Sequence, residues 1–310
     1  MTHHKVIDDL LTQKKLLMIT GKGGIGKTLI TCALAKRALT LGRRVLVVEQ
    51  SSVEQVGALL GVSGVSHEET WRGDLGVANF TPSGNFKDFI TKHLMRSGLL
   101  EILVSNKIVH SFFTAIPGFA ELMLLGRLYY ALNLAPGRRP DLVLFDGYAS
   151  GHFLSLMTTP DAVLRSGLAG PIIKQTETVK KWLNDAAECA TLYIAVPEDL
   201  VISETVEFLP ALADRSSVKL AALIMNRCLP KHLGDSESSG SGASDSVALG
   251  FLKGRYERQQ HAIATYNKLA SGSEVLNHLP VALLPELGAI EEPMNDSLVE
   301  ALLGGYDGDK

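Results

Sequence analysis

One octapeptide constrains this chain more than any other segment: residues 21–28 read Gly-Lys-Gly-Gly-Ile-Gly-Lys-Thr. The pattern G-x-x-x-x-G-K-[ST] is that of a phosphate-binding loop, which follows a buried strand and opens a helix. Both neighbours are present, because residues 16–20 form a short apolar run and apolar residues recur at helical spacing from Ile30 to Leu41. The segment therefore predicts a strand, a phosphate-binding loop and a helix, in that order.

Each part of the loop has its own predicted contact with a nucleotide. Glycines let the backbone N–H groups turn toward an anion, and the helix N-terminus adds a partial positive charge. We expect Lys27 to reach the β- and γ-phosphates and the Thr28 hydroxyl to ligate Mg²⁺. The predicted ATP- or ADP-binding set of the loop is Gly21, Lys22, Gly23, Gly24, Ile25, Gly26, Lys27 and Thr28.

Apolar runs and helical patterns alternate along the rest of the chain. Further strands are predicted at residues 45–49, 76–80, 141–146, 192–196, 220–225 and 278–284. Helices are predicted at residues 171–189, 199–213 and 295–303. This alternation predicts an α/β fold with a doubly wound, mostly parallel sheet, which binds its ligands at the carboxyl ends of the strands.

We interpret residues 1–310 as a single P-loop domain. Residues 85–135 are long, helical and apolar, with Pro117-Gly118 as the one strong break, and predict a helical subdomain inserted between core strands. Their leucine and phenylalanine side chains favour core packing over an exposed groove. Residues 234–247 are rich in serine and glycine and predict a flexible loop.

Bulk composition excludes several classes of protein. The 310 residues carry a net charge of −3, so nothing in the global charge predicts a nucleic-acid partner. No apolar run approaches the ~20 residues of a membrane helix, and the N-terminus lacks an apolar signal core, so we expect a cytoplasmic protein without an integral membrane segment. Cys32, Cys189 and Cys228 form no C-x-x-C pair, which argues against a zinc or iron–sulfur site. Cys32 and Cys228 are predicted to be buried thiols.

Polar residues follow four of the predicted strands. Asp146 ends one strand, where a carboxylate can hold a water bound to Mg²⁺; alternatively, it caps the next helix. The other three patches are residues 196–198, residues 225–227, which include Asn226, and residues 284–286, which include Pro285 and Glu286. All of them are predicted to lie on the ligand edge of the sheet.

Three segments together resemble one branch of the P-loop NTPases. The early lysine of the loop, Lys22, is typical of the deviant Walker A motif found in ArsA, the tail-anchored-protein-targeting ATPase, MinD, ParA and the nitrogenase iron protein. Gly151-His152 after Asp146, and the Pro-Gly-x-x-Glu segment at residues 117–121, resemble the ArsA-like and tail-anchored-targeting ATPases in particular. The resemblance extends from residue 16 to about residue 290.

The resemblance implies a nucleotide-sandwich dimer, formed with a second copy or with a paralogous ATPase, that serves an unknown client protein. It implies that Lys22 crosses the dimer interface to the partner's nucleotide and that Asp146 belongs to the second switch, which makes these two the candidate catalytic residues. It also implies that Thr28 and Asp146 hold the metal. The adenine would be held by Asn226, Pro285 and Glu286.

The chain departs from that family in three places. The aspartate that orients the attacking water is replaced by Ser51, with Glu49 or Gln50 as substitutes in a shifted register. The C-x-x-C zinc clasp of the tail-anchored-targeting branch is missing, and the helical region offers only Met95 and Met123 for that branch's methionine-rich groove. Three functions stay open: a dimeric switch ATPase, a non-hydrolysing ATP-binding subunit of a heterodimer, and a MinD/ParA-like positioning ATPase, which the C-terminal sequence and the acidic balance disfavour.

Overall fold

The computed structural model describes residues 3–51, 53–94, 118–167, 170–216, 218–230, 243–287 and 293–303. The strands are β1 (Leu16–Gly21), β2 (Val45–Glu49), β3 (Thr70–Arg72), β4 (Leu75–Asn79), β5 (Leu142–Ala149), β6 (Cys189–Ala195), β7 (Leu220–Cys228) and β8 (Val281–Pro285). The helices are α1 (His3–Gln13), α2 (Lys27–Thr40), α3 (Val56–Leu60), α4 (Pro82–Leu94), α5 (Phe119–Asn133), α6 (Ser150–Arg165), α7 (Pro171–Leu183), α8 (Asp199–Arg215), α9 (Ala243–Ser271), α10 (Glu274–Asn277) and α11 (Asp296–Leu303).

The strands of the described residues form one sheet in the order β3-β4-β2-β5-β1-β6-β7-β8. Every neighbouring pair is parallel except β3 and β4, which are antiparallel at the edge. A mostly parallel sheet with helices between its strands confirms the predicted α/β fold class.

Strand β1 lies where the direction of winding changes. The chain runs from β1 through α2 to β2 on one side, and from β5 through α6 and α7 to β6 on the other side of β1. Because parallel crossovers are right-handed, opposite directions of travel place the helices on opposite faces of the sheet. Ligands of such sheets bind at the carboxyl ends of the strands at this point, which is where residues 21–28 begin.

The central strands are buried along their whole length. Strands β1, β2 and β6 expose no residue appreciably, because helices cover both faces of the sheet and the side chains on both faces are mostly apolar. Glu49, the last residue of β2, is the carboxylate among them, and only 2% of its surface is exposed. Cys32, Cys189 and Cys228 are buried and have free thiols, which confirms the burial predicted for Cys32 and Cys228; no such prediction covered Cys189.

The helix predicted over residues 171–189 is shorter in the structure. Helix α7 ends at Leu183, and Cys189 already begins β6. Residues 184–188 read Asn-Asp-Ala-Ala-Glu, and the prediction gave more weight to the helix formers Ala and Glu than to the stop signal of Asn184 after Lys180 and Lys181. The pairing of Cys189 with Leu16 of β1 decides the boundary instead.

Strand β3 was not predicted, and helix α9 begins earlier than the predicted loop allows. Strand β3 has three residues, which is too short for a periodic pattern to predict. Helix α9 begins at Ala243, so residues 243–247 of the predicted loop are helical, while residues 234–242 lie outside the described part of the chain. Serine and aspartate occur in first helical turns as well as in loops, so composition misplaced this boundary.

The helical region predicted at residues 85–135 contributes α4 and α5, while Met95 and Pro117 lie outside the described residues. The two helices share a small apolar core, which consists of Phe86, Phe89, Phe119, Leu122, Met123 and Val163. The Phe119 ring meets Phe86 and Phe89 edge to face, with centroids 6.2 and 5.8 Å apart. Within the described residues, no helix combines the length and apolarity needed to cross a membrane.

Candidate nucleotide-binding site

The loop between β1 and α2 requires glycine at both of its ends. At Gly21, a Cβ atom would lie 2.2 Å from the Ile194 carbonyl oxygen of β6, so no larger residue fits. At Gly26 the backbone has φ 94°, and a Cβ atom would lie 2.7 Å from Asn226 Nδ2. The close approach of two neighbouring strands therefore requires these glycines in addition to any phosphate.

Two side chains from the end of β7 hold the loop from one side. Asn226 Nδ2 donates to the Ile25 carbonyl oxygen at 2.9 Å, and Asn226 is buried. Arg227 Nη2 donates to the Gly24 carbonyl oxygen at 3.0 Å. Arg227 has φ 60°, the one positive φ among the described non-glycine residues, which marks a strained backbone at this edge.

Asp146 lies below the loop and joins β5 to α2. Its Oδ2 accepts a hydrogen bond from the Thr28 hydroxyl at 2.7 Å, and its Oδ1 accepts one from the Thr31 hydroxyl at 3.3 Å. Burial raises the pKa of the Asp146 carboxyl, although the Thr28 hydrogen bond and the nearby Lys27 oppose that shift. Burial also lowers the pKa of the Lys27 ammonium, which Asp146 opposes. The two charges thus stabilise each other in a partly dry site.

Glu49, Gln50 and Ser51, at the end of β2 and directly after it, contact different parts of the protein. Glu49 is in register with Asp146 on the adjacent strand, and burial raises the pKa of its carboxyl. Gln50 Nε2 donates to the Phe80 carbonyl oxygen at 2.6 Å. The Ser51 hydroxyl is exposed and accepts from the backbone N–H of Val53 at 3.2 Å. Of these three side chains, only Glu49 is placed beside Asp146.

The donor set around Asp146 fits Mg²⁺. Thr28 and Asp146 offer oxygen atoms, and Mg²⁺ prefers one or two carboxylates together with hydroxyl, water and phosphate oxygens. The described residues hold no group of three or more His, Cys, Asp or Glu side chains able to bind a metal. An ion with few protein ligands, which shares its coordination with phosphates, suits such a site.

Other predicted site residues are engaged elsewhere in the structure. Lys22 Nζ pairs with Glu204 Oε1 of α8 at 2.8 Å, and both side chains are exposed. Pro285 ends β8 opposite Cys228, and Glu286 Oε1 accepts from Arg255 Nη2 of α9 at 2.8 Å. Gly23, Gly24 and Ile25 lie in the loop as expected. The roles of Asn226, Pro285 and Glu286 toward adenine stay predictions.

Sequence reasoning missed three residues that contact the predicted set. Thr31 lies one turn after Thr28 on α2, so helical spacing was the available signal. Arg227 directly follows Asn226, but a side chain that returns to Gly24 leaves no pattern in the sequence. Glu204 lies in the helix predicted at residues 199–213, but no local signal pairs it with Lys22.

Known proteins are similar to this chain over much of its length. A family model described as an anion-transporting ATPase, ArsA_ATPase, matches residues 14–169, about half of the chain. ATPase BagA of Mycobacterium tuberculosis is 26% identical over 264 residues, which cover 78% of this chain and 74% of that protein. The arsenical pump-driving ATPase of Escherichia coli is 31% identical over 153 residues, 47% of this chain and 25% of that protein. ATPase GET3 of Malassezia globosa is 24% identical over 193 residues, 56% of this chain and 54% of that protein.

Proposed function

This chain belongs to the ArsA_ATPase family of anion-transporting ATPases, a membership that implies nucleotide binding, and from that premise we propose a Mg²⁺-dependent dimeric switch whose ATP state controls a helical partner surface. The observation that carries the proposal is the hydrogen bond of 2.7 Å between the Thr28 hydroxyl and Asp146 Oδ2, directly below the loop. It brings a loop residue together with a carboxylate of β5, which continues past Asp146 to Ala149 instead of ending there as predicted, although 118 positions separate the two residues in the sequence. Hydroxyl and carboxylate oxygens at one point are what a Mg-nucleotide requires.

Each residue of the centre has a distinct task in this proposal. Lys27 neutralises the β- and γ-phosphates, while the loop N–H groups bind their oxygens. Thr28 and Asp146 hold Mg²⁺, which neutralises charge on the phosphates when it is bound. Lys22 leaves Glu204 and contacts the nucleotide of a second protomer, as the deviant Walker A motif implies.

A chain of side chains leads from the centre toward the helical region. Tyr148 and His152 follow Asp146, and their rings stack with centroids 4.0 Å apart and an interplanar angle of 8°. His152 Nε2 lies 3.4 Å from Glu121 Oε1, which belongs to the first turn of α5. A shift of the residues after Asp146 would therefore displace the contact between His152 and Glu121 of α5. This link supports control of the helical region by the nucleotide.

The helical region offers a cavity for the proposed partner. A cavity of about 640 Å³ lies between α4, α5 and α7. Its described lining is largely aromatic and apolar, with Phe89, Met123, Tyr129 and Tyr130 among its residues. Apolar concave surfaces of this size commonly bind ligands or partner side chains. We infer that the partner binds on this side of the protein.

Hydrolysis is proposed to be slow, because Ser51 stands where the family places a carboxylate. A serine organises the attacking water less firmly, and the exposed Ser51 hydroxyl already accepts a hydrogen bond from Val53. The same observation favours a second candidate, an ATP-binding subunit that pairs with an active paralogue. A MinD/ParA-like role is the third alternative, and no contact in the site favours it.

One experiment separates these functions. The purified protein is weighed in solution with Mg-ATP, with a non-hydrolysable analogue and without nucleotide, while phosphate release is followed. A switch to dimer mass with slow phosphate release supports the dimeric ATPase. A nucleotide-bound monomer without turnover supports the subunit of a heterodimer. Absence of nucleotide binding overturns both.

A further inference from the structure

The buried carboxylate at the end of β2 lies on the same side of the sheet as the predicted metal ligand. Glu49 and Asp146 are register partners on adjacent parallel strands. Asp146 accepts hydrogen bonds from Thr28 and Thr31 of α2, and register partners on adjacent parallel strands point to the same face, so Glu49 lies on the α2 side as well. Glu49 therefore belongs to the same compartment as Thr28 and Asp146.

One oxygen of Glu49 has no partner. The residue is only 2% exposed, and Oε1 accepts no hydrogen bond from the described residues. Leaving a buried carboxylate oxygen without a donor is unfavourable, and an exception of this kind in a folded protein calls for a function. Because Oε1 is a negatively charged acceptor, a cation or a hydrogen-bond donor such as water would satisfy it.

The other oxygen of Glu49 holds the far end of the segment that includes Ser51. Oε2 accepts from the backbone N–H of Gln55 at 3.4 Å, and the carboxylate also accepts from the backbone N–H of Val56 at the start of α3. Residues 50–55 run between these two attachment points and include Ser51. One carboxylate thus contacts the loop on one side and faces the Asp146 compartment on the other.

We propose that Glu49 is a positioning residue of the Mg-nucleotide centre: Oε1 accepts hydrogen bonds from water that Mg²⁺ retains beside Asp146, while Oε2 keeps the start of α3 in place. This inference rests on the proposed function, because it requires Mg²⁺ and nucleotide at Thr28 and Asp146. Mg²⁺ keeps several waters in protein sites, and carboxylates that bind those waters orient the ion. Metal loading is thereby linked to the position of Gln55 and Val56 at the start of α3.

The test removes the charge of Glu49 while it keeps the shape of the side chain. Glu49→Gln retains an oxygen that accepts from the Gln55 and Val56 amides. We expect Mn²⁺ affinity of the ADP complex, followed by electron paramagnetic resonance, to fall roughly 10–100-fold. ADP affinity without metal should stay within about twofold, because Glu49 does not face the phosphates in this proposal.

Two comparisons make the test decisive. Glu54→Gln removes an exposed carboxylate of the same loop and should leave Mn²⁺ affinity unchanged, whereas Glu49→Asp keeps the charge and should restore part of it. Equal losses from the Glu49 and Glu54 variants, or normal Mn²⁺ binding by folded Glu49→Gln, overturn the inference. If the unmodified protein does not bind ADP in a Mn²⁺-dependent way, the proposed function fails as well.

A measurement on the unmodified protein is independent of whether the variants fold. Hydrogen exchange of the Gln55 and Val56 amides should slow when Mn²⁺ is added to the ADP complex, because the metal stabilises the carboxylate that accepts from them. Exchange at these amides that does not respond to Mn²⁺ contradicts the link between the metal and the loop.

Discussion

Lys22 Nζ lies 2.8 Å from Glu204 Oε1, so the lysine assigned to a partner's nucleotide is bound to helix α8 of its own chain. Both side chains are exposed, with 38% and 46% of their side-chain surfaces accessible. An exposed ion pair contributes only about 0.2–1 kcal/mol, and a nucleotide phosphate can replace it. Lys22 is therefore held near the loop by a contact that a second protomer can displace.

The first prediction concerns Lys22 in dimerisation. Lys22→Ala should bind nucleotide nearly normally yet lose the dimer that forms with a non-hydrolysable ATP analogue, as measured by mass in solution. Glu204→Gln should strengthen that dimer by at most about fivefold, because it releases Lys22 from a weak pair. A Lys22→Ala protein that still dimerises with the analogue counts against the sandwich model.

Lys27 should dominate nucleotide affinity, because the loop motif predicts that its ammonium reaches the β- and γ-phosphates. Lys27→Ala is expected to weaken ATP binding at least ~10-fold, or about 1.4 kcal/mol, by calorimetry. Lys36→Ala is the matched control, since Lys36 lies on the same helix but pairs with Asp296. Equal affinity of both variants would remove the basis for the phosphate-binding assignment.

Substitution of Asn226 can separate two contributions to nucleotide affinity: support of the loop and contact with the base. Its amide nitrogen holds the Ile25 carbonyl, which supports the loop for any nucleotide, while the predicted base contact is specific for adenine. Asn226→Ala should weaken ATP and GTP binding by fluorescence titration, with the larger loss, about 10-fold or more, for ATP. Equal losses would argue against the base contact, and a loss confined to ATP would argue against the loop contact.

Ser51→Asp should raise turnover, because a carboxylate orients the attacking water that Ser51 leaves free. A positioned group of this kind is worth roughly 10²–10⁴-fold in rate. Ser51→Asn has the same size without the charge and serves as the control in a phosphate-release assay. Turnover of several per second by the unmodified protein would show that Ser51 does not limit the reaction.

The buried carboxyls of Glu49 and Asp146 predict how stability depends on pH. Burial raises the pKa of each above its ordinary value, although the hydrogen bonds to their oxygens oppose the shift. A carboxyl with a raised pKa favours the folded state while it is protonated, and that contribution is lost as the pH rises through the raised value. The contribution of these two carboxyls to the stability of the metal-free protein should therefore fall as the pH rises from about 4 toward neutrality.

Urea unfolding of the metal-free protein tests this sign. Glu49→Gln should be more stable than the unmodified protein at neutral pH, by about 1–3 kcal/mol if the unpaired oxygen is the main cost. The difference should shrink toward pH 4, where Glu49 is protonated in both states. A difference that does not change with pH would show that the Glu49 charge has little effect on folding.

The phosphate-binding loop and the alternation of strands and helices could be predicted because their signals are local. Residues 21–28 are contiguous, and the apolar runs before and after them have the lengths of a strand and a helix. Asp146 was predictable for the same reason, as a carboxylate at the end of an apolar run. Helix boundaries were less reliable, because Ala and Glu beyond Asn184 favour a longer helix and Ser and Asp near residue 243 occur in loops as well as in first turns.

By itself, then, the sequence determined the fold class, the loop and the two residues expected to hold Mg²⁺. The tertiary structure decided which distant side chains meet them: Glu204 at Lys22, Arg227 at Gly24, and Glu49 beside Asp146. These contacts depend on the strand order β2-β5-β1-β6-β7. Strands that are distant in the sequence thereby have their carboxyl ends at the same edge of the sheet. Local propensity and periodicity report neighbours along the chain, whereas strand order follows from burying all the apolar faces at once, and so these pairs became visible only in the folded protein.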